Sequence, residues 1–251
     1  PLLVTPSPTL SPSQSLLSLI TGVAIRKGAE FVDPDSYQSH AYNWLANNFT
    51  YGTYSDAQLV QRYSLACLYF STDLETEGGW NLSTEWLSYL TACDWFGVVC
   101  NAAGDITALN LGSNNLVGEL PAEVSLLTTA YLLWFDFNNG LTGTIPTEVA
   151  TLPVIQSLSL QGCSFSGTIP TEFGRLTNLY SLRLNSNYLT GSIPSSLGNL
   201  LKVQILLLNS NLLTGNMPAM ICANRVNFDT AVAELSADCN DVNCTCCTSC
   251  W

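Results

Sequence analysis

The sequence predicts an α/β-type repeat solenoid, with a helical N-terminal part and a disulfide-rich C-terminal cap. Three observations predict it. One motif returns five times from residue 106 onward, apolar residues alternate within each copy as a short strand requires, and cysteines crowd the tail.

The motif is an apolar–x–apolar pair, an Asn or Cys, an apolar residue, a Gly and an apolar–Pro step. Its first copy is Leu109, Leu111, Asn114, Leu116, Gly118, Leu120, Pro121. The third is Leu158, Leu160, Cys163, Phe165, Gly167, Ile169, Pro170. Leu182 to Pro194 and Leu206 to Pro218 follow the same order, and the last three copies are 24 residues apart. The second ends regularly on Leu141, Gly143, Ile145, Pro146, but the LLWFDFNNG stretch before it holds one extra residue. Pointing Trp134 and Asp136 inward would bury a carboxylate at a cost of several kcal/mol. Pointing Leu133 and Phe135 inward keeps the core apolar. That register makes Asn138 equivalent to Asn114, leaves the insertion at Asn139–Gly140 and turns Trp134 and Asp136 outward.

In each copy the chain turns away from its strand, and the turn's backbone groups need partners. A buried Asn both donates and accepts, so Asn114, Asn138, Asn187 and Asn211 are expected to stack as a hydrogen-bonded ladder. Cys163, in the same row, is expected as a free buried thiol. Each copy alone leaves an apolar face bare, so both ends need caps. The expected organisation is a Pro/Ser/Thr-rich linker over 1–12, a helical extension and cap over 13–105, repeats over 106–221 and a Cys-rich cap over 222–251.

Within the extension, helices are expected over Ser13 to Ile20, from about Asp35 to Asn47, and from an Asp56 N-cap. Tyr37, Ala41, Trp44 and Leu45 share one helical face; Leu59, Tyr63, Ala66, Cys67 and Phe70 share another. These stripes roof one end of the core.

Composition narrows the function. The 251 residues carry 7 Lys plus Arg against 19 Asp plus Glu, a net charge of −12. Such a surface repels phosphate backbones and disfavours nucleic acid. No apolar run reaches the roughly 20 residues a membrane-spanning helix needs. The Leu16–Ile25 run is too short, and it follows Pro and Ser rather than a basic segment, unlike a signal peptide. A soluble acidic product, trimmed at both ends, is the expectation.

Ten cysteines point to an oxidising compartment. Cys93 and Cys100 bracket a small loop and are expected to pair. Cys222, Cys239, Cys244, Cys246, Cys247 and Cys250 allow 15 pairings, which the sequence leaves open. A zinc site on Cys244, Cys246, Cys247 and Cys250 is the alternative, but the paired C-x-x-C layout is missing and the sole histidine, His40, is remote. Sequons at Asn48, Asn81 and Asn243 add to the expectation of an extracellular or cell-surface glycoprotein.

The steps Gly143-Thr144-Ile145-Pro146, Gly167-Thr168-Ile169-Pro170 and Gly191-Ser192-Ile193-Pro194, with the Leu/Asn pattern before them, resemble plant-type leucine-rich repeats. CDWFGVVC looks like that family's N-terminal cap. The resemblance covers about residues 56 to 221. The Cys-rich end and the QRYSLACLYFSTD stretch look most like algal, especially diatom, members. The resemblance implies a right-handed curved solenoid with a parallel sheet on its concave face. It also implies an extracellular role holding a peptide, a glycan or another receptor domain. The long helical extension departs from the family pattern.

Alternation puts Ala108, Asn110 and Gly112, Leu132, Trp134 and Asp136, Ser157, Ser159 and Gln161, Ser181, Arg183 and Asn185, and Ile205, Leu207 and Asn209 on that face. The candidate ligand-binding residues are Leu132, Trp134, Asp136, Phe137, Gln161, Arg183, Asn185 and Asn209. Trp and Arg dominate many interfaces; the plainer role for Trp134 is to fill space beneath the N-terminal helices. The expected function is a ligand- or protein-binding module, receptor or co-receptor-like, for a protein, peptide or glycan. A membrane tether through a segment upstream of Pro1 is compatible with it. The alternatives are an adhesion or structural protein, or a binder of polysaccharide or ice through a flat Thr/Ser/Asn array. Catalysis is not expected: the sequence has no G-x-S-x-G elbow, phosphate loop or H-E-x-x-H, and the Asp73, Glu75, Glu77 run looks like a solvated loop. No cofactor or metal is expected.

Overall fold

Strands at Ile106–Asn110, Leu132–Trp134, Ser157–Ser159, Ser181–Arg183 and Ile205–Leu207 lie parallel in one sheet. They belong to a computed structural model that describes residues 12–25, 27–48, 53–73, 79–227 and 234–250. Leu109, Leu133, Leu158, Leu182 and Leu206 stand in register across these strands, and all five are fully buried. The expected leucine-rich-repeat solenoid is therefore present, with the Leu133/Phe135 register in the irregular copy; Phe135 is buried and Trp134 is not. The linker expected over 1–12 lies almost wholly outside the described residues.

Behind each strand the Asn ladder forms. Asn138 Oδ1 accepts from the amides of Asn114 (2.9 Å) and Leu116 (3.0 Å), while its Nδ2 donates to the carbonyls of Leu111 and Phe135 at 2.9 and 2.8 Å. Asn187 takes the amide of Phe165, and Asn211 that of Leu189. Cys163 has no carbonyl oxygen to offer the equivalent amide, Leu141. There the extra residue of the second copy matters: it lets Leu141 N turn back onto Asn138 O at 2.9 Å. The insertion and the cysteine thus compensate each other, so no amide is left bare. The Cys163 thiol is free and donates to Phe135 O at 3.3 Å.

The residue before each ladder position takes a left-handed backbone, seen at Ser113, Phe137, Gly162, Ser186 and Ser210. After the ladder the chain forms short strands on the opposite face, then a proline. Prolines 121, 146, 170 and 194 each precede a five-residue 3-10 turn, where a missing N–H costs nothing.

Three helices, Pro12–Val23, Tyr37–Asn48 and Asp56–Thr72, cover the N-terminal end. The third is capped by Ser55 rather than Asp56. Ser55 Oγ accepts from Gln58 N and the Gln58 side chain returns the bond, a reciprocal arrangement that places Asp56 in the first turn. On this helix Arg62 is only 1% exposed. Its guanidinium lies 5.1, 4.9 and 5.0 Å from the ring centres of Trp44, Tyr54 and Trp95, and donates to the carbonyls of Leu90 (2.7 Å) and Ser88 (3.2 Å). One side chain thereby joins two helices to the loop that leads into the repeats.

The Cys93–Cys100 disulfide forms as expected, and an antiparallel strand Val98–Cys100 extends the sheet. At the other end the tail forms Cys222–Cys246, Cys239–Cys250 and Cys244–Cys247. All four cysteines weighed as zinc ligands are thus oxidised. The tail also adds strands Glu234–Ala237 and Ser249–Cys250, which the motif-based reading did not foresee; the sheet reaches eight strands. Asp238 terminates the ladder, its carboxylate accepting from Ser210 N (2.7 Å) and Asn211 N (3.0 Å).

Candidate functional site

The outward residues of the central strands converge on one polar patch. Trp134 is half-buried on the concave face, outside the apolar cluster of the N-terminal helices, so it does not fill the space beneath them. Its indole Nε1 donates to Ser157 Oγ at 2.8 Å, which fixes the ring. In the turn after the Leu132–Trp134 strand stands Asp136, which faces Ser159, Gln161 and Arg183. Burial raises its carboxyl above the ordinary aspartate value, against hydrogen bonds from Ser159 and Gln161 and the charge of Arg183, which pull it down.

Three atoms of this patch are buried with no hydrogen-bond partner among the described residues, Ser181 Oγ, Arg183 Nε and Asn185 Oδ1, while the Ser159 hydroxyl faces the Asp136 carboxylate. Such atoms are rare in a native interior and each calls for a partner. Here they lie on the Ser181–Arg183 strand and just beyond it. They present an acceptor, a hydroxyl and a cationic donor, which suits a polar ligand that carries both donors and acceptors.

The other candidates divide. Leu132 and Gln161 are half-buried on the face. Phe137 leaves the row: its left-handed backbone (φ 56°) turns the ring over Gly162, where an added Cβ would meet Phe137 Cδ1 at 2.6 Å. Asn209 is buried, and its Oδ1 accepts from Ser236 Oγ at 2.6 Å, so the C-terminal cap occupies it. Ser159 and Ser181 emerge as site residues that sequence reasoning did not single out. An outward serine on a strand gives no signal of burial, yet both are buried. Asn48, Asn81 and Asn243 are exposed, although Phe49 and Thr50 of the first sequon lie outside the described residues.

The opposite face carries the hydroxyls that an array binder needs. Thr142, Ser166 and Thr190 are exposed, but each hydroxyl already donates to a glycine carbonyl of the preceding repeat at 3.2 Å. The register also interrupts the rows: Ser166 pairs with Tyr188, and Thr190 with Leu212, both exposed apolar or aromatic residues. Among the described residues no group of His, Cys, Asp or Glu is placed to hold a metal ion, and no helix is long and apolar enough to cross a membrane.

Asp136 shares its raised pKa with Glu123, whose carboxyl is pushed up by burial despite donors from Gln38 and Tyr37. A carboxyl with a higher pKa folded than unfolded binds its proton more tightly in the folded state. Stability then grows as pH falls through the raised values toward the ordinary carboxylate range. The melting temperature is expected to rise on going from about pH 7 to about pH 5. Thermal scans of the Asp136→Asn, Glu123→Gln double variant should show a smaller rise; an equal rise rules these two groups out as its source.

A family model described as Leucine Rich Repeat matches residues 155–176 and 178–200. A curated relative, the LRR receptor-like serine/threonine-protein kinase EFR of Arabidopsis thaliana, is 37% identical over 68 residues, 27% of this chain and 6% of the relative. The chain spans between 6% and 10% of the length of the curated relatives it matches. Among solved structures, a chain of the BIR3–SERK2 complex from Arabidopsis thaliana is 31% identical with a TM-score of 0.51, covering 63% of this chain and 83% of that one. A plant ice-binding protein is 29% identical with a TM-score of 0.58, covering 68% of this chain and 54% of that one.

Proposed function

We propose that this chain, a plant-type leucine-rich-repeat protein, is an extracellular binding module of receptor or co-receptor type that holds a protein or peptide on its concave face. The observation that carries the reading is the set of half-buried polar and aromatic side chains, Trp134, Asp136, Gln161 and Arg183, on the outward side of consecutive repeats. Trp and Arg on such a face are the side chains that most often anchor a protein or peptide partner. Four disulfides support an oxidising, extracellular setting. The receptor-like kinase relative and the BIR3–SERK2 neighbour support a role in protein recognition.

An immobilised array of decapeptides provides the test, probed with the native chain, Trp134→Ala and Tyr89→Ala. Tyr89 is 83% exposed, lies far from the patch in sequence and serves as the remote control. Peptides retained by the native chain are expected to lose about tenfold or more in affinity for Trp134→Ala, the size of effect an aromatic anchor supplies. Their binding to Tyr89→Ala should not change. Equal binding by all three proteins rules out the concave face as the site.

A further inference from the structure

We infer that a cavity on the flank of the array, beside the inserted residue Asn139, binds a neutral sugar unit of an oligosaccharide; this site is separate from the concave face. The cavity measures about 450 Å³ and lies where the strands turn into the Asn ladder. Asn139, Ser164, Ser186, Tyr188 and Ser210 line it, together with Gly162 and the buried Cys163 and Asn187. Its position follows from the irregularity of the array. Asn139 belongs to the insertion of the second copy, and Cys163 stands where the other copies carry the ladder Asn. Both line this one cavity, so the two departures from the repeat meet at a single place. Cys163 and Asn187 are committed to backbone carbonyls, which makes that part of the wall rigid.

The wall selects the ligand's chemistry. Among the described residues no charged side chain lines the cavity, although the chain as a whole is at −12, so nothing in it pairs with an ionic group. Its hydrogen-bonding capacity is mixed. Ser164 Oγ donates to Asn139 O at 2.8 Å and keeps its lone pairs, while Ser210 Oγ accepts from Asn209 Nδ2 at 3.1 Å and keeps its proton. The exposed Asn139 side chain adds a donor and an acceptor. A sugar hydroxyl donates and accepts at once, which matches such a wall.

Two exposed rings complete the site. Tyr188 and Phe137 are each 59% exposed. Tyr188 lines the cavity, and Phe137 lies over Gly162, itself a lining residue. A pyranose carries hydroxyls round its rim and C–H groups across its face. It can therefore stack on an aromatic ring while its rim meets serine hydroxyls and the Asn139 amide. This gives Phe137 a role on the flank, away from the concave row that its left-handed backbone leaves.

The test is an array of immobilised oligosaccharides in three sets, neutral, uronic-acid and sulfated. It is probed with the native chain, Tyr188→Ala, Tyr188→Phe, Phe137→Asn, Ser164→Phe and Trp134→Ala, each first checked for native-like melting. Asparagine suits the left-handed backbone at position 137, so Phe137→Asn removes the ring alone, and Ser164→Phe plugs the cavity. Members of the neutral set are expected to be retained, with little change as salt rises. About a tenfold loss is expected for Tyr188→Ala and Ser164→Phe, a smaller one for Phe137→Asn, and none for Tyr188→Phe or Trp134→Ala. Retention of the uronic-acid or sulfated sets alone overturns the inference, as does an array on which the native chain retains no neutral oligosaccharide. Neutral sugars held equally by the native chain, Tyr188→Ala and Ser164→Phe also overturn it. So does a loss confined to Trp134→Ala, which moves the sugar to the concave face. Peptide binding lost in Trp134→Ala stands or falls independently of all these results.

Discussion

Replacing Asn138 by alanine is expected to destabilise the chain by about 4 kcal/mol, because four buried backbone groups each lose a hydrogen bond at once. Those groups are the amides of Asn114 and Leu116 and the carbonyls of Leu111 and Phe135. Each sits against fully buried leucine and phenylalanine side chains, so solvent cannot replace the lost bonds without opening the core. For a chain of this size the effect corresponds to a fall of about 8–16 °C in melting temperature. Cys163→Ala is the matched control. It removes a smaller side chain and the weak thiol contacts to Phe135 O and Gln161 O at the same ladder level, and about 1 kcal/mol is expected. If the two variants melt within a degree or two of each other, the ladder is not the main source of inter-repeat stability.

Arg62→Ala is expected to cost about 3–5 kcal/mol, a loss comparable to deleting a large core side chain. The guanidinium fills the space between Trp44, Tyr54 and Trp95, and its removal leaves both a void among three rings and the carbonyls of Ser88 and Leu90 without their donor. Lysine does not repair this. Its compact ammonium cannot reach two carbonyls as a flat fork while stacking on rings, so Arg62→Lys should recover only part of the loss. Thermal unfolding measures the magnitude, and limited proteolysis between residues 81 and 91 locates it. Full recovery by lysine would show that the charge alone, not the planar fork, holds the cap.

Both variants mark how far the sequence could be read. Asn138 was assigned from sequence alone, because the only register that keeps Asp136 out of the core puts Asn138 in the ladder row. Arg62 carried no such signal. It lies on a helix with an apolar stripe, its partners come from three separate segments, and a guanidinium among aromatic rings leaves no periodic trace. The two tail strands were hidden for a related reason. A parallel edge strand is held by backbone bonds and asks for little beyond one inward residue, here Leu235, so the repeat pattern can end while the sheet continues.

The candidate site divides along the same line. Alternation placed Trp134, Asp136, Gln161, Arg183 and Asn185 on one face, since the two-residue period of a strand is a local property. It could not separate Asn209, taken by Ser236 of the cap, from Asn185, whose Oδ1 is unpartnered. Nor could it show that Phe137 turns away over Gly162.

The sequence by itself determined the repeat, its register, the Asn ladder and the Cys93–Cys100 staple, because each depends on residues close in the chain or on a strict period. Tertiary structure alone decided the tail disulfides, the Arg62 knot and the set of polar atoms left without partners. These arise where distant segments meet, and a hydrogen bond is satisfied or orphaned only once every neighbour has taken its place.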